Sequence, residues 1–458
     1  MTANPIDVNA AIERIGLRRL GVFVVALCFL MMLADGYDFG TLSLAAPSIL
    51  REWRVPPKQL GGVFSITFVG LLVGSLIYGW IADRFGRRFT IILGTFNFAV
   101  PILLTIWTTD LGQLAALRFL GGVGMGGIVP IAYTLVSEYA PRRLRSTVTV
   151  ITNAGFNIGA AAGGLVAAAA IPAHGWRSLY IIGAAFSFAM LLVLIVYLPE
   201  SPFYLAVKKP NSPGLRALVR RLLSEGEVAE DARIVAVDPS EDDGTIGRAG
   251  FRRLFAGRRA YATILLWLLF VADALGFFFL ASWLPVVMEA AGVDSGTASL
   301  MASLFVFAGI VGGFLIMRFL DRTGPIAFIA LPIIGGPAEI VMGLHALPEP
   351  LLLAVVALAG ACLAGIHMAV YAIAVRFYPP TIRGIGMSMA TVFGRAGGII
   401  APYVGGYLLS AHMPLPQLMI VAALPCLATT LIGIGLGVLD RRTFKAPHTV
   451  PAAEQVAS

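Results

Sequence analysis

Long apolar runs separated by short polar turns organise this chain from about residue 20 to residue 439. Twelve of them read as spanning segments: 20–48, 60–82, 89–108, 112–139, 146–171, 177–198, 260–286, 297–319, 325–345, 351–378, 384–410 and 415–439. Most reach the roughly 20 apolar residues that a helix needs to cross a bilayer core. The stretch 199–259 breaks the pattern. Lys208, Lys209 and Arg216 to Arg221 precede an acidic cluster from Glu225 to Asp243, and Arg252, Arg253, Arg258 and Arg259 follow. The expected architecture is an all-α integral membrane protein. It has an N-terminal six-helix bundle (1–198), a cytoplasmic linker (199–259), a C-terminal six-helix bundle (260–440) and a cytoplasmic tail (441–458). The linker reads as a solvated tether with room for a short surface helix.

Composition agrees with a membrane protein. The chain is 58% hydrophobic and only 13% charged, where a soluble domain carries about 25% charged residues. Its first apolar run is far longer than a signal h-region of roughly 7–15 residues. The net charge of +8 acquires its meaning from placement. With the N-terminus inside, 27 of the 33 Lys and Arg fall on that side, and the outer loops hold Arg51, Arg54, Lys58 and Arg177. The positive-inside rule puts both termini in the cytoplasm, as in a cell inner-membrane protein. The basic excess is thus topology, and no nucleic acid partner is implied.

The two halves are related. A shift of 238 places Asp35 on Asp273, Pro47 on Pro285, Asp83-Arg84 and Gly86 on Asp321-Arg322 and Gly324, Pro141 on Pro379, and Arg145 on Arg383. Both copies begin inside, so the repeat is parallel, about an axis along the membrane normal. Such repeats place a substrate site near the midplane between the halves. The repeat fails at Asp38 (Gly276), Arg395 (Asn157), Gly79 (Met317) and Arg87-Arg88, where a directional site is most readily built.

Charges inside the apolar runs are costly and need a reason. Asp35 and Asp38 stand three residues apart in segment one, on roughly one helix face. Arg118 opens the Arg118-Phe-Leu-Gly-Gly122 run of segment four, and Arg395 lies in Phe393-Gly-Arg-Ala-Gly-Gly398 of segment eleven. Arg395 is about 18 Å along its helix from Arg383, near mid-depth. Arg118 is shallower, and snorkelling competes with an intramembrane role. For Arg395 the competing reading is a structural pair with a carboxylate. A carboxylate substrate in a low-dielectric cavity needs a cation, and a guanidinium offers bidentate geometry. A coupling cycle follows: protonation at Asp35/Asp38 frees Arg395 or Arg118 for the incoming anion, and inward release lets the acid deprotonate. Phe277-Phe278-Phe279 and Tyr371 are candidates for an aromatic slot. Asp273 is a possible second acid through the repeat, while Glu339 and His367 have packing alternatives.

Two motifs carry a resemblance. Gly79-Trp-Ile-Ala-Asp83-Arg84-Phe-Gly86-Arg87-Arg88, between segments two and three, resembles the loop signature of the major facilitator superfamily. The resemblance implies that Asp83 faces the N-terminus of segment eleven. Arg84 and Arg88 would join Glu138 in a charge network that closes the cytoplasmic gate, with Gly79 allowing close helix approach and Gly86 a tight turn. Pro199-Glu200-Ser-Pro-Phe-Tyr-Leu205 is similar to the end-of-half motif of sugar and organic-acid porters. Gly155, Gly159, Gly163 and Gly164 read as small-residue helix packing. They are also similar to the segment-five motif of drug/proton antiporters, apart from Ala160 where that motif has proline.

Asp35-Gly-x-Asp38 together with the glycine-arginine run of segment eleven resembles the aromatic acid:proton symporter family. Ser282-Trp-Leu-Pro285 and Tyr378-Pro379-Pro380 with Arg383 extend the likeness over essentially the whole chain, with His367 and Pro380 as departures. The family imports benzoate-type aromatic carboxylates with protons. The resemblance implies Asp35 and Asp38 in proton coupling and Arg118 and Arg395 as essential cations; the expected substrate contacts add His367, Tyr371 and Phe278. No cofactor, metal cluster, disulfide framework or nucleophile–base pair is expected, so the chain reads as no enzyme. It is expected to work as a monomer in the bilayer. Other readings are uptake of a sugar or non-aromatic organic acid, drug/proton antiport, and a non-transporting membrane sensor.

Overall fold

The computed structural model describes residues 6–210, 212–222, 234–235, 248–257, 259–323, 325–344, 347–378 and 380–443. Most of the linker's acidic cluster, Arg258, Gly324, Pro379 and the tail beyond 443 lie outside them. Helix α1 is Val8–Ile15, followed by the N-terminal bundle: α2 Arg19–Trp53, α3 Pro57–Phe85, α4 Arg87–Thr105, α5 Leu111–Glu138, α6 Arg145–His174 and α7 Arg177–Tyr197. The linker contributes α8 Pro202–Lys208, α9 Pro213–Leu222 and α10 Arg248–Leu254. The C-terminal bundle holds α11 Arg259–Ala290, α12 Ser295–Thr323, α13 Pro325–Phe328, α14 Ala330–Met342, α15 Glu349–Phe377, α16 Pro380–Ser410 and α17 Leu415–Thr443.

The shift of 238 carries the starts of α3, α4, α5 and α7 onto those of α12, α13, α15 and α17. Packing repeats with it: α3 on α5 and α2 on α6 in one bundle, α12 on α15 and α11 on α16 in the other. Eleven described helices are long and apolar enough to cross a bilayer. The ninth crossing departs from expectation. In place of one helix over 325–345, a four-residue α13 and a 13-residue α14 are separated by a break at Ile329. Pro332 has no N–H to give the Phe328 carbonyl, so the ladder lacks a rung at the break.

The linker also departs from a solvated tether. Its strand β2 (Ile234–Val235) pairs in parallel with β1 (Ile6–Asp7) of the N-terminal arm. Val8 and Ile12 of α1 bury against Ala206, Leu215, Val219 and Ile234. The N-terminal arm supplies the apolar partner face that the linker lacks by itself.

Glycines set the closest helix contacts. A Cβ on Gly36 of α2 would lie 1.9 Å from the Phe156 carbonyl oxygen of α6, and one on Gly159 would lie 2.0 Å from that of Leu33. The segment-five glycines are therefore helix-packing residues.

The bundles meet asymmetrically. Hydrogen bonds between described residues of the two bundles join Ser43 to the Ser282 carbonyl, the Lys58 N–H to Ser410, Ser65 to the Ile399 carbonyl, and Ser303 to the Ala161 carbonyl. Arg51 pairs with Glu289. All of these lie from mid-depth to the side opposite the termini. Toward the side that bears the termini, the last such bond is that of Arg395 with Ser75. The hydrogen bonds and ion pairs seen between described residues of the two halves thus cluster from mid-depth to the far side.

Candidate functional site

Asp35 and Asp38 share a helix but have different partners. Tyr37 between them donates to the Leu179 carbonyl at 3.1 Å, and Gly36 lets α2 rest on α6. Asp38 (side chain 2% exposed) faces Arg118 (5% exposed), with Nη1 and Nη2 each 3.2 Å from Oδ1 and Nη1 3.3 Å from Oδ2. Arg118 therefore does not snorkel: it is buried in an ion pair, its guanidinium 5.1 Å from the Tyr180 ring centroid. Asp35 is as deeply buried, and its Oδ1 has no hydrogen-bond partner. One acid of the pair is thus matched to a cation and the other is not.

A small cavity of about 30 Å³ adjoins the matched pair, lined by Asp38, Phe39, Ser43, Thr67, Arg118 and Ser282. The Ser43–Ser282 bond shuts it from the far side at 2.8 Å.

Arg395 forms no structural ion pair among the described residues. Its Nη1 donates to Ser75 Oγ at 2.6 Å and to the Leu71 carbonyl at 3.3 Å, both on α3. Two N–H groups are used, which leaves the Nε/Nη2 edge, the fork that grips a carboxylate, without a partner among the described residues. Its neighbours Gly397 and Gly398 bring α16 close: a Cβ would lie 2.8 Å from Ala274 Cβ and 3.0 Å from the Phe68 ring respectively.

Aromatic rings form a wall across the halves. Phe278 of α11 sits 4.7 Å from Phe68 and 6.2 Å from Phe39 (centroid to centroid), both of the N-terminal bundle. Phe277 stacks on His367, and Tyr371 is edge-on to both His367 and Phe270. Phe279 instead turns away and is buried. Asp273 Oδ2 lies 2.7 Å from His367 Nδ1. Glu339 is fully buried, and its one hydrogen-bond partner among the described residues is the Cys426 thiol at 3.4 Å.

Tyr133 escaped the sequence reading. Its hydroxyl donates to Asn153 Oδ1 at 2.7 Å, and it lies near Asp35 and Tyr371. The signal was available, because a shift of 238 places Tyr133 on Tyr371.

The loop network differs from the expected one. Arg87, rather than Arg84 or Arg88, approaches Glu138, with Nε 3.5 Å from Oε1. Gly86, at φ +99°, ends α3 and starts α4 in a new direction, which turns Arg87 toward the end of α5. Arg84 remains outside, over the rings of Trp80 and Phe85, and Arg88 reaches the Ile195 carbonyl. Glu200 accepts from the N–H groups of Arg87, Arg88 and Ser201, capping α4 from the end-of-half motif. Asp83 is 83% exposed, with the marginal Arg87 contact at 4.0 Å, and nothing stands near a Cβ built on Gly79. No contact of either with a described side chain of α16 is seen.

This architecture can be compared with known proteins. The family model described as Major Facilitator Superfamily matches residues 28–336 and 266–457. The chain belongs to the Major Facilitator Superfamily. Within that superfamily it groups with aromatic-acid transporters. It is 33% identical to a 4-hydroxybenzoate transporter of Pseudomonas aeruginosa over 93% of this chain and 94% of that protein. It is 33% identical to a gallate transporter of Pseudomonas putida with the same coverage. A benzoate transport protein of Acinetobacter baylyi is 27% identical over 98% and 96% of the two chains. Among solved structures, a bacterial homologue of the human lysosomal transporter Spinster, inward-facing and occupied, superimposes with a TM-score of 0.71 at 18% identity, covering 94% of this chain and 98% of that one. This facilitator is accordingly a multi-pass membrane transporter.

Proposed function

We propose that this facilitator imports aromatic carboxylates of the benzoate and hydroxybenzoate type together with protons, by alternating access, in a cell inner membrane with both termini cytoplasmic. The observation that carries the reading is Arg395. A guanidinium near mid-depth keeps its bidentate edge free beside a wall of aromatic rings, and it meets no carboxylate among the described residues. A neutral sugar gives no reason for that cation, whereas a benzoate-type anion uses both the fork and the rings. The names of the relatives agree.

Coupling belongs to Asp35, Asp38 and Arg118. With the far side closed, the Asp38–Arg118 pair is neutral as a unit, while Asp35 Oδ1 is buried without a hydrogen-bond partner. Opening the Ser43–Ser282 contact would connect the cavity at Asp38 to the outside, and a proton on Asp38 would release Arg118. On the cytoplasmic side, Asp83 and Gly79 are positioned to meet α16 when the bundles close there, with Arg84, Arg88 and the Arg87–Glu138 pair completing the gate. A single bundle pair encloses the whole path, so the monomer suffices.

Uptake of labelled benzoate and 4-hydroxybenzoate into proteoliposomes under an imposed pH gradient tests the reading. Acidifying the outside is expected to drive accumulation, and Asp38→Asn to abolish it. If neither acid accumulates, the substrate reading fails; accumulation that survives both Asp35→Asn and Asp38→Asn removes these acids from coupling.

A further inference from the structure

A second acid–base pair, a buried acid with a half-buried histidine, remains unused by that cycle. Asp273 of α11 (2% exposed) and His367 of α15 (28% exposed) meet at 2.7 Å through Oδ2 and Nδ1. The imidazole lies flat on Phe277, 4.5 Å between centroids and 9° between planes, with Phe278 and Tyr371 at its edges. A ring so clamped presents a fixed face. Facing an ionised Asp273, Nδ1 carries the ring proton and donates it to the carboxylate, and Nε2 has no partner among the described residues. The shift of 238 places Val129 where His367 stands, so the pair belongs to the C-terminal bundle alone.

The groups that face it are few. Tyr371 shares α15, Arg395 of α16 lies near Tyr371, and Tyr133 of α5 approaches from across the interface. Behind Asp273 a small void lined by Gly276, Phe277, Pro425 and Cys426 leaves room for about one water. Cys426 of α17 then contacts Glu339 of α14, and Asp273 Oδ1 and Glu339 Oε1 are both buried without partners. Residues 295–316 of α12 include no titratable side chain, and Arg318 beyond them is exposed. The void therefore offers Asp273 no cation, and His367 is its only close basic partner among the described residues.

We propose that Asp273–His367 is a second proton-loading site. Resting on the symport reading above, the inference adds a second proton to each cycle. The lone pair of Nε2 takes a proton from the outer solution, the resulting N–H donates to the substrate carboxylate, and the proton leaves from Nε2 with the anion on the cytoplasmic side. Asp273 keeps the imidazolium neutralised in the loaded state and is not itself consumed. With the Asp35/Asp38 proton, two protons then accompany one monoanion, so each turnover carries one positive charge inward.

Proteoliposomes at equal pH on both sides, polarised inside-negative by a potassium gradient with valinomycin, read this directly with labelled 4-hydroxybenzoate. One charge per turnover at about 100 mV supports a roughly 50-fold accumulation. His367→Gln keeps an N–H donor for Asp273 but takes up no proton. Because His367 also touches the substrate, the rates of exchange and uptake are expected to fall, but steady-state accumulation follows the coupled charge and not affinity: a pH gradient still drives accumulation, while voltage-driven accumulation falls to about onefold. Asp273→Asn, which leaves the ring without its carboxylate, supplies the same comparison if His367→Gln loses exchange. Voltage-driven accumulation that persists in these variants overturns the proposal, as does a wild type that responds to pH but not to voltage. A wild type that responds to neither overturns the symport reading itself.

Discussion

Replacing Arg395 by Gln removes the cation whose fork is unoccupied. Nη1 is already committed to Ser75 and Leu71, so a bound carboxylate takes its two hydrogen bonds from Nε and Nη2. Bonds to a charged partner contribute about 1.5–3 kcal/mol each. Arg395 is only partly buried, so the low end applies: about 3 kcal/mol for the two, or roughly a hundredfold in Kd. Arg395→Lys keeps the charge but not the fork, and a loss of about tenfold is expected. Ser75→Ala removes only the support at 2.6 Å and should cost about 1 kcal/mol, near fivefold. Equilibrium binding of labelled 4-hydroxybenzoate to the purified protein measures all three, with benzamide as a neutral competitor. Arg395→Gln should weaken the acid and leave the amide nearly unchanged. Equal weakening of acid and amide, or a change below threefold for the acid, would refute the assignment.

Other perturbations follow from the same contacts. Asp38→Asn strands the buried Arg118 charge and should destabilise the protein by about 3–5 kcal/mol, while Asp38→Asn with Arg118→Gln recovers most of it; thermal unfolding in detergent measures both, and equal losses would contradict the pair. Gly36→Ala forces a Cβ to within 1.9 Å of the Phe156 carbonyl oxygen and should collapse the monodisperse yield on gel filtration, whereas Gly62→Ala, with open space at its Cβ position, should not. Arg87→Gln breaks the half-buried contact with Glu138 and should lower the unfolding midpoint more than Arg84→Gln, whose side chain is outside over Trp80; the reverse order would restore the expected network.

Much of this was legible along the chain, for identifiable reasons. Hydropathy located eleven of the twelve crossings because each is long, apolar and bounded by polar turns. The ninth is helical where expected but broken at Ile329, because the missing rung at Pro332 interrupts a helix without changing its hydropathy. Depth along one helix, which spacing alone gives, sufficed to mark Arg395. The repeat gave the helix register, and applied to Tyr371 it would also have given Tyr133. Pairings across the fold were not legible. Spacing puts Asp35 and Asp38 together, yet Arg118, 80 residues away, chooses between them. His367 is 94 residues from Asp273, and nothing local in either segment announces the other. The loop network erred by one turn direction, since Gly86 at positive φ decides which arginine meets Glu138.

Proton movement with the aromatic anion is the central claim, and a pH electrode in the external medium reads it without any label. Addition of 4-hydroxybenzoate to lightly buffered, de-energised cells expressing the protein should alkalinise the medium, and the signal should vanish with Asp38→Asn. Substrate entry without alkalinisation, or alkalinisation undiminished in Asp38→Asn, would contradict the account.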